Sequence, residues 1–177
     1  CVIAVPDSSS IQALGFAQGL GMPLETGLIR SHYIGRTFIA PQQKIRDFAA
    51  RLKFNPVRGL LKGKRVVVID DSIVRGTTSK KIIRLIKEQG GASEVHLRVA
   101  SPPVAWPCFY GIDMPRRSEL VAAQKSVEEI REFLNVDSLA YLSLEGMLEA
   151  CGGRESTFCH ACFSGRYQVA KKVIRNT

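Results

Sequence analysis

The chain has 177 residues, 45% hydrophobic and 23% charged, with a net charge of +9 from 25 Lys and Arg against 16 Asp and Glu. Such a length and balance suit one domain with a sizeable core, and no apolar run approaches the ~20 residues of a membrane span, so no membrane is expected. The positive excess attracts anions, but its basic residues are scattered in short pairs such as Lys80-Lys81, Arg116-Arg117 and Lys171-Lys172, without a basic helix of interleaved aromatics, so no DNA is expected as a partner.

In chain order, Val2–Val5 reads as a strand, Pro6-Asp7-Ser8-Ser9-Ser10 as a loop of helix-capping type, and Ile11–Leu20 as a helix. Leu24–Ile29 reads as a further strand. Tyr33-Ile34-Gly35-Arg36-Thr37-Phe38-Ile39 follows, with one Arg that can meet a phosphate and one Gly that can act as a hinge. Residues 42–53 read as a helix rich in Lys and Arg, and 57–64 as an arm. Val66–Ile69 has no polar alternation, so it reads as a strand covered on both faces of a parallel sheet. A helix over Ser79–Gln89 carries Ile82, Ile83 and Ile86 on one face and stops at Gly90-Gly91. Glu94–Ala100 alternates as a strand and is broken by Ser101-Pro102-Pro103. Val127–Leu134 and Leu144–Ala150 read as short helices. This alternation implies an α/β fold with a mostly parallel sheet.

The most informative stretch is Val66 to Thr78. In open parallel sheets, ligands sit beyond the carboxyl ends of the strands, where Asp70 and Asp71 fall. Adjacent carboxylates can accept hydrogen bonds from two neighbouring ribose hydroxyls or help hold a magnesium ion through its waters. Gly76 permits a tight turn, and Ser72, Thr77 and Thr78 supply hydroxyls. Loop amides near a helix start favour an anion. The plain alternative is a buried strand, an Asp-capped turn and a helix. The cysteines are a second cluster of interest: Cys108, then Cys159 and Cys162 as a Cys-x-x-Cys pair. By itself such a pair fits a redox couple, half a zinc site or coincidence. Five cysteines, an odd count, without a secretory signal favour a reduced intracellular compartment.

The thirteen residues Val66–Thr78 resemble the phosphoribosyl pyrophosphate (PRPP) motif of type I phosphoribosyltransferases. Val5–Ser10, Tyr33–Ile39 and the cysteine set narrow the resemblance to the glutamine PRPP amidotransferases that carry a [4Fe–4S] cluster. The resemblance implies a type I phosphoribosyltransferase fold with a mostly parallel sheet flanked by helices and a cysteine-bearing C-terminal tail. It divides the chain into a transferase domain over 1–143, truncated at its N-terminus, and a tail over 144–177. A glutaminase domain is expected to be absent, and Cys1 is read as a strand residue, not as the cysteine that opens that domain.

The implied activity is the first committed step of purine synthesis. Ammonia from glutamine attacks PRPP to give 5-phosphoribosylamine and pyrophosphate. Implied PRPP contacts are Asp7, Ser8, Ser9, Tyr33, Arg36, Asp70, Asp71, Ser72, Val74, Arg75, Gly76, Thr77 and Thr78, with Arg36, Asp70 and Asp71 closest to the chemistry. Magnesium (Mg2+) falls to Ser8, Asp70 and Asp71. The [4Fe–4S] cluster falls to Cys108, Cys159 and Cys162, three of the four thiolates it needs, with zinc as the competitor. Purine nucleotides are implied as feedback inhibitors, a homo-oligomer of tetramer type as the assembly, and a soluble protein of cytoplasm or plastid stroma as the setting. Another type I phosphoribosyltransferase, a non-catalytic PRPP-binding regulator and a zinc-stabilised interaction domain remain as alternatives.

Overall fold

The computed structural model describes residues 1–32, 53–153 and 157–168. Five parallel strands form the main sheet: β1 (Val2–Ala4), β2 (Leu24–Glu25), β5 (Arg65–Asp70), β6 (Glu94–Val99) and β7 (Ser138–Tyr141), in the order β2-β1-β5-β6-β7. Two further strands, β3 (Leu28–Arg30) and β4 (Phe54–Pro56), pair antiparallel as a separate ribbon. The chain leaves β1 toward β2 on one side, and β5, β6 and β7 fill the other. The strand order therefore reverses between β1 and β5, and a crevice opens at their carboxyl ends.

The sheet is covered unequally. Val66 and Val68 of β5 pack with Val95, Leu97 and Val99 of β6 against Ile82, Ile83 and Ile86 of helix α3 (Thr77–Glu88). Each of those isoleucines is at least nine-tenths buried, a stabilisation of roughly 1.5–3 kcal/mol apiece. On the opposite face, Ile69 and Val2 meet Ala13 and Ala17 of helix α1 (Ser10–Leu20). The unbroken apolar run of β5 thus serves two faces, as its sequence predicts. The β6 strand alternates because Val95, Leu97 and Val99 face α3, while His96 and Arg98 share the face of Val67 and Ile69 and are only half-buried there.

Several boundaries differ from the sequence reading. Leu24–Ile29 is two strands, not one, with Thr26-Gly27 between them. A Cβ at Gly27 would stand 2.7 Å from Ile3 and 2.8 Å from Leu61, so only glycine lets the chain pass this close to the core. The expected arm over 57–64 is a helical turn, α2 (Arg58–Leu61), that drives Leu61 into the core. The motif helix begins two residues early, at Thr77, because Gly76 adopts φ 75° and caps it. Helix α5 (Val127–Leu134) holds its expected range through a capping box between Ser126 and Glu129. Helix α6 (Leu144–Ala150) also holds its range, with Ser143 as its cap. The edge strand β7, the 3-10 turn Arg117–Glu119, and the short helices α4 (Val121–Gln124) and α7 (Ala161–Ser164) were not anticipated. The expected helix over 42–53 lies almost wholly outside the described residues.

Candidate active site at the switch point

Two loops meet at the crevice. The first leaves β1 at Val5, whose N–H donates to the Ile69 carbonyl at 2.9 Å and so ties this loop to β5. The Pro6–Asp7 peptide is cis. Ser8 faces the crevice. Asp7 points aside, its carboxylate 3.1 Å from the Arg30 guanidinium and 3.8 Å from His32. Ser9 does something other than meet a ligand. Its side chain is fully buried, and its hydroxyl lies 2.6 Å from the Val5 carbonyl and 2.8 Å from the Ile69 carbonyl, with one proton to share between them. Ser9, expected among the PRPP contacts, places its hydroxyl beneath the site, where it ties the β1 loop to β5.

The second loop runs from Asp70 to Thr78. Asp70 is the last residue of β5 and is almost fully buried. Ser79 donates to its Oδ2 at 3.1 Å, and the Asp71 N–H donates to its Oδ1 at 3.1 Å. Asp71 in turn accepts from the Ser72 N–H at 2.9 Å. Burial, and then the neighbouring Asp71 carboxylate, push Asp70 up to about 7, against the pull of the Ser79 hydroxyl. Two carboxylates in one wall with so few donors suit a cation or the hydroxyls of a sugar. Past Ile73, which is anchored in the core, the Val74 carbonyl accepts from the Val121 N–H at 2.9 Å. Gly76 rests against Phe133, where an added Cβ would stand 3.1 Å from the ring. No side chain caps α3, and no acidic residue sits in its first turn. The first-turn amides of a twelve-residue helix thus face the crevice without a carboxylate competitor.

The crevice has a volume of about 320 Å³. Ser8 lines one side, and Asp70, Asp71, Ser72, Val74, Arg75, Gly76, Thr77 and Thr78 the other. Residues separated by some sixty positions in sequence thus share one cavity. The lining residues that were missed include three able to act on a ligand or on the acids, Ser79, Arg30 and Phe54. Ser79 was taken for the ordinary start of a helix, yet it orients Asp70. Arg30 and Phe54 come from the β3–β4 ribbon and close a third wall. Beyond its bond to Asp7, Arg30 has a buried Nε with no hydrogen-bond partner among the described residues. A strand ending in Arg ahead of a loop was the available signal. Tyr33 and Arg36 lie outside the described residues.

The cysteine segment lies apart from this cavity. All five cysteines are free thiols. The Cys162 carbonyl accepts from the N–H groups of Ala105 at 3.2 Å and Trp106 at 3.0 Å, which seats α7 against the Cys108 loop. Tyr167 donates to the Pro107 carbonyl at 2.6 Å and packs on Phe109 with ring centroids 5.0 Å apart. Burial pushes the Cys162 thiol up, and charge on Cys108 and Cys159 raises it further, so the three sulfurs lie within electrostatic reach. Among the described residues, however, no three His, Cys, Asp or Glu side chains converge closely enough to grip a metal ion as they stand. The set fits a thiophilic metal in donor type but is not yet closed around one.

A parallel sheet whose acid-ended strand, uncapped helix start and β1 loop converge at the switch point defines a type I phosphoribosyltransferase fold. Over 96% of its length the chain superposes on the glutamine PRPP amidotransferase of B. subtilis complexed with ADP and GMP, with a TM-score of 0.85 and 48% identity, covering 38% of that protein. It is 59% identical over 174 residues to amidophosphoribosyltransferase 1, chloroplastic, of Arabidopsis thaliana, matching 98% of this chain and 31% of the relative. It is 54% identical over 168 residues to the amidophosphoribosyltransferase of Synechocystis sp., 95% of this chain and 34% of the relative. No family model matches the chain. The chain is homologous over nearly its whole length to the amidophosphoribosyltransferases, and spans about a third of the length of these curated relatives. Among the described residues, no helix is long and apolar enough to cross a membrane.

Proposed function

We propose that this chain carries the PRPP site of an amidophosphoribosyltransferase, and that the whole protein makes 5-phosphoribosylamine from PRPP and ammonia released from glutamine. The observation that carries this reading is the crevice at the switch point, where paired carboxylates face an uncapped helix start across about 320 Å³. The names of the relatives support it.

In this reading the first-turn amides of α3, with the hydroxyls of Ser72, Thr77 and Thr78, take the 5-phosphate. The paired acids Asp70 and Asp71 accept hydrogen bonds from the ribose hydroxyls and lie near the positive charge that develops at the anomeric carbon. The β1 loop, through Ser8, faces the leaving pyrophosphate. The residues Tyr33 and Arg36 are proposed to fold over it and exclude water. Free ammonia needs no general base, and none is assigned. Magnesium, held through Ser8, Asp70 and Asp71, would supply positive charge to the departing diphosphate, as the hard oxygen donors there suit. A pair of carboxylates leaves most of its coordination shell to ligand oxygens and water.

Cys108, Cys159 and Cys162 are proposed as three ligands of a [4Fe–4S] cluster that ties the tail over 144–177 to the transferase domain over 1–143. That role is structural, because the ribose-binding acids lie on another loop. The ADP and GMP of the B. subtilis complex support purine nucleotides as feedback inhibitors that place their own 5-phosphate on the same loop. The proposed assembly is a homo-oligomer, a tetramer, in cytoplasm or plastid stroma; chloroplastic relatives support the latter.

Calorimetric titration with PRPP and magnesium tests the site. One PRPP per chain is expected, with loss of most binding in Asp71→Asn. Equal binding by the two proteins contradicts the reading. Metal analysis with an absorbance scan separates iron from zinc at the cysteines.

A further inference from the structure

One short turn touches both the phosphate loop and the cysteine segment. Glu119 closes the 3-10 turn Arg117–Glu119. Its Oε2 accepts from Arg75 Nε at 3.0 Å and lies 3.0 Å from Arg75 Nη2. Its Oε1 accepts from the Arg116 N–H at 3.3 Å, so the carboxylate is held from both sides. The Arg75 bond keeps the Glu119 carboxyl below the usual range. Two residues earlier, the Arg117 guanidinium lies 3.9 Å over the Trp106 ring, and its Nε donates to the Ala105 carbonyl at 3.4 Å. Trp106 and Ala105 are the residues whose N–H groups hold the Cys162 carbonyl. Trp106 is also packed so closely by Gly165 that an added Cβ would stand 2.7 Å from the indole.

The turn therefore has Glu119 on Arg75 and Arg117 on the ring that seats the cysteines. Arg75 lines the crevice, so an anionic ligand there meets a guanidinium whose orientation Glu119 sets. A change in that pairing moves the turn, and the turn carries Arg117 on Trp106. Coupling of this kind acts equally in both directions.

We propose that Glu119 is a positioning residue for the ligand of the phosphate loop, acting through Arg75, and that the Arg117–Glu119 turn couples occupation of that loop to the reactivity of Cys108, Cys159 and Cys162. The proposal rests on the PRPP reading of the crevice. Both side chains of the Arg75–Glu119 pair are about half exposed, which limits the effect to about a two- to five-fold change.

The test is alkylation of the metal-free chain with iodoacetamide, located by peptide mass spectrometry, with and without PRPP and magnesium. Binding is measured separately by calorimetry. Bound ligand is expected to change labelling at Cys108, Cys159 and Cys162 about two- to five-fold, while Cys151, exposed on another segment, serves as the control. In Glu119→Gln the change disappears and PRPP binds about two- to five-fold more weakly; Glu119→Asp restores part of both. Trp106→Ala raises labelling of all three thiols and abolishes their response while PRPP still binds. PRPP that binds without altering the thiols, or an undiminished response in Glu119→Gln, overturns the coupling alone. A chain that takes up no PRPP overturns the reading of the crevice and the coupling with it.

Discussion

The phosphate loop and the cysteine segment are built in opposite ways. The loop is nine consecutive residues, Asp70–Thr78, whose conformation follows from Gly76, the helix start and the end of β5. The cysteine segment joins Cys108 to Cys159 and Cys162 across some fifty residues, and no local rule brings them together. Trp106, Arg117, Tyr167 and Gly165 do so through stacking, backbone hydrogen bonds and close packing. A local site tolerates change elsewhere and fails when its own residues change. An assembled site fails through residues that never touch its ligand.

The largest effect is expected inside the loop. Asp71→Asn removes charged hydrogen bonds to ribose and should weaken PRPP binding by roughly 10- to 100-fold, with thermal stability little changed. Calorimetry and a melting curve together check this. Next comes the assembled site. Gly165→Val places side-chain atoms where the Trp106 indole already lies. Alkylation of Cys108 and Cys162 should then rise several-fold, while PRPP affinity falls by no more than about five-fold. Equal damage to both sites would erase the contrast between them.

The third effect is a pH dependence. The folded Asp70 carboxyl titrates near 7 because of burial and Asp71, whereas an unfolded one titrates near 4. The folded state binds more protons between these values, so this group makes the fold less stable as pH rises from about 4 through about 7. Asp70→Asn cannot ionise. Its urea midpoint should be flatter with pH and exceed that of the parent at pH 8, by an amount of order 1–4 kcal/mol when converted to free energy. A parent midpoint that rises across that range would contradict the assigned environment. The smallest effect is beneath the site: Ser9→Ala removes the hydroxyl that bridges the Val5 and Ile69 carbonyls, costing about 1 kcal/mol, with PRPP binding preserved. Lost binding in that variant would return Ser9 to the ligand.

Legibility in the sequence followed the same division. The run Val66–Ile69, the paired acids and the small residues after them announced a two-faced strand and a tight loop into a helix start, because each depends on neighbours in sequence. Helix α5 was legible for the same reason, through Ser126 and Glu129. The stapling role of Ser9 was not legible because capping and stapling use the same hydroxyl, and only the fold shows its burial. Arg30, Phe54 and Ser79 were missed because the β3–β4 ribbon and the turn of α3 bring them to the crevice from outside the motif. The edge strand β7 escaped notice because Ser138-Leu139-Ala140-Tyr141 is short and its pairing with β6 comes from a distant part of the chain.

The central claim is that a phosphorylated ribose sits between Ser8 and the start of α3. A structure of the protein with PRPP and magnesium tests it most directly. The account predicts the 5-phosphate on the amides and hydroxyls of residues 75–78, with the ribose hydroxyls on Asp70 and Asp71. Ligand bound at another place, with the crevice left to solvent, would contradict it.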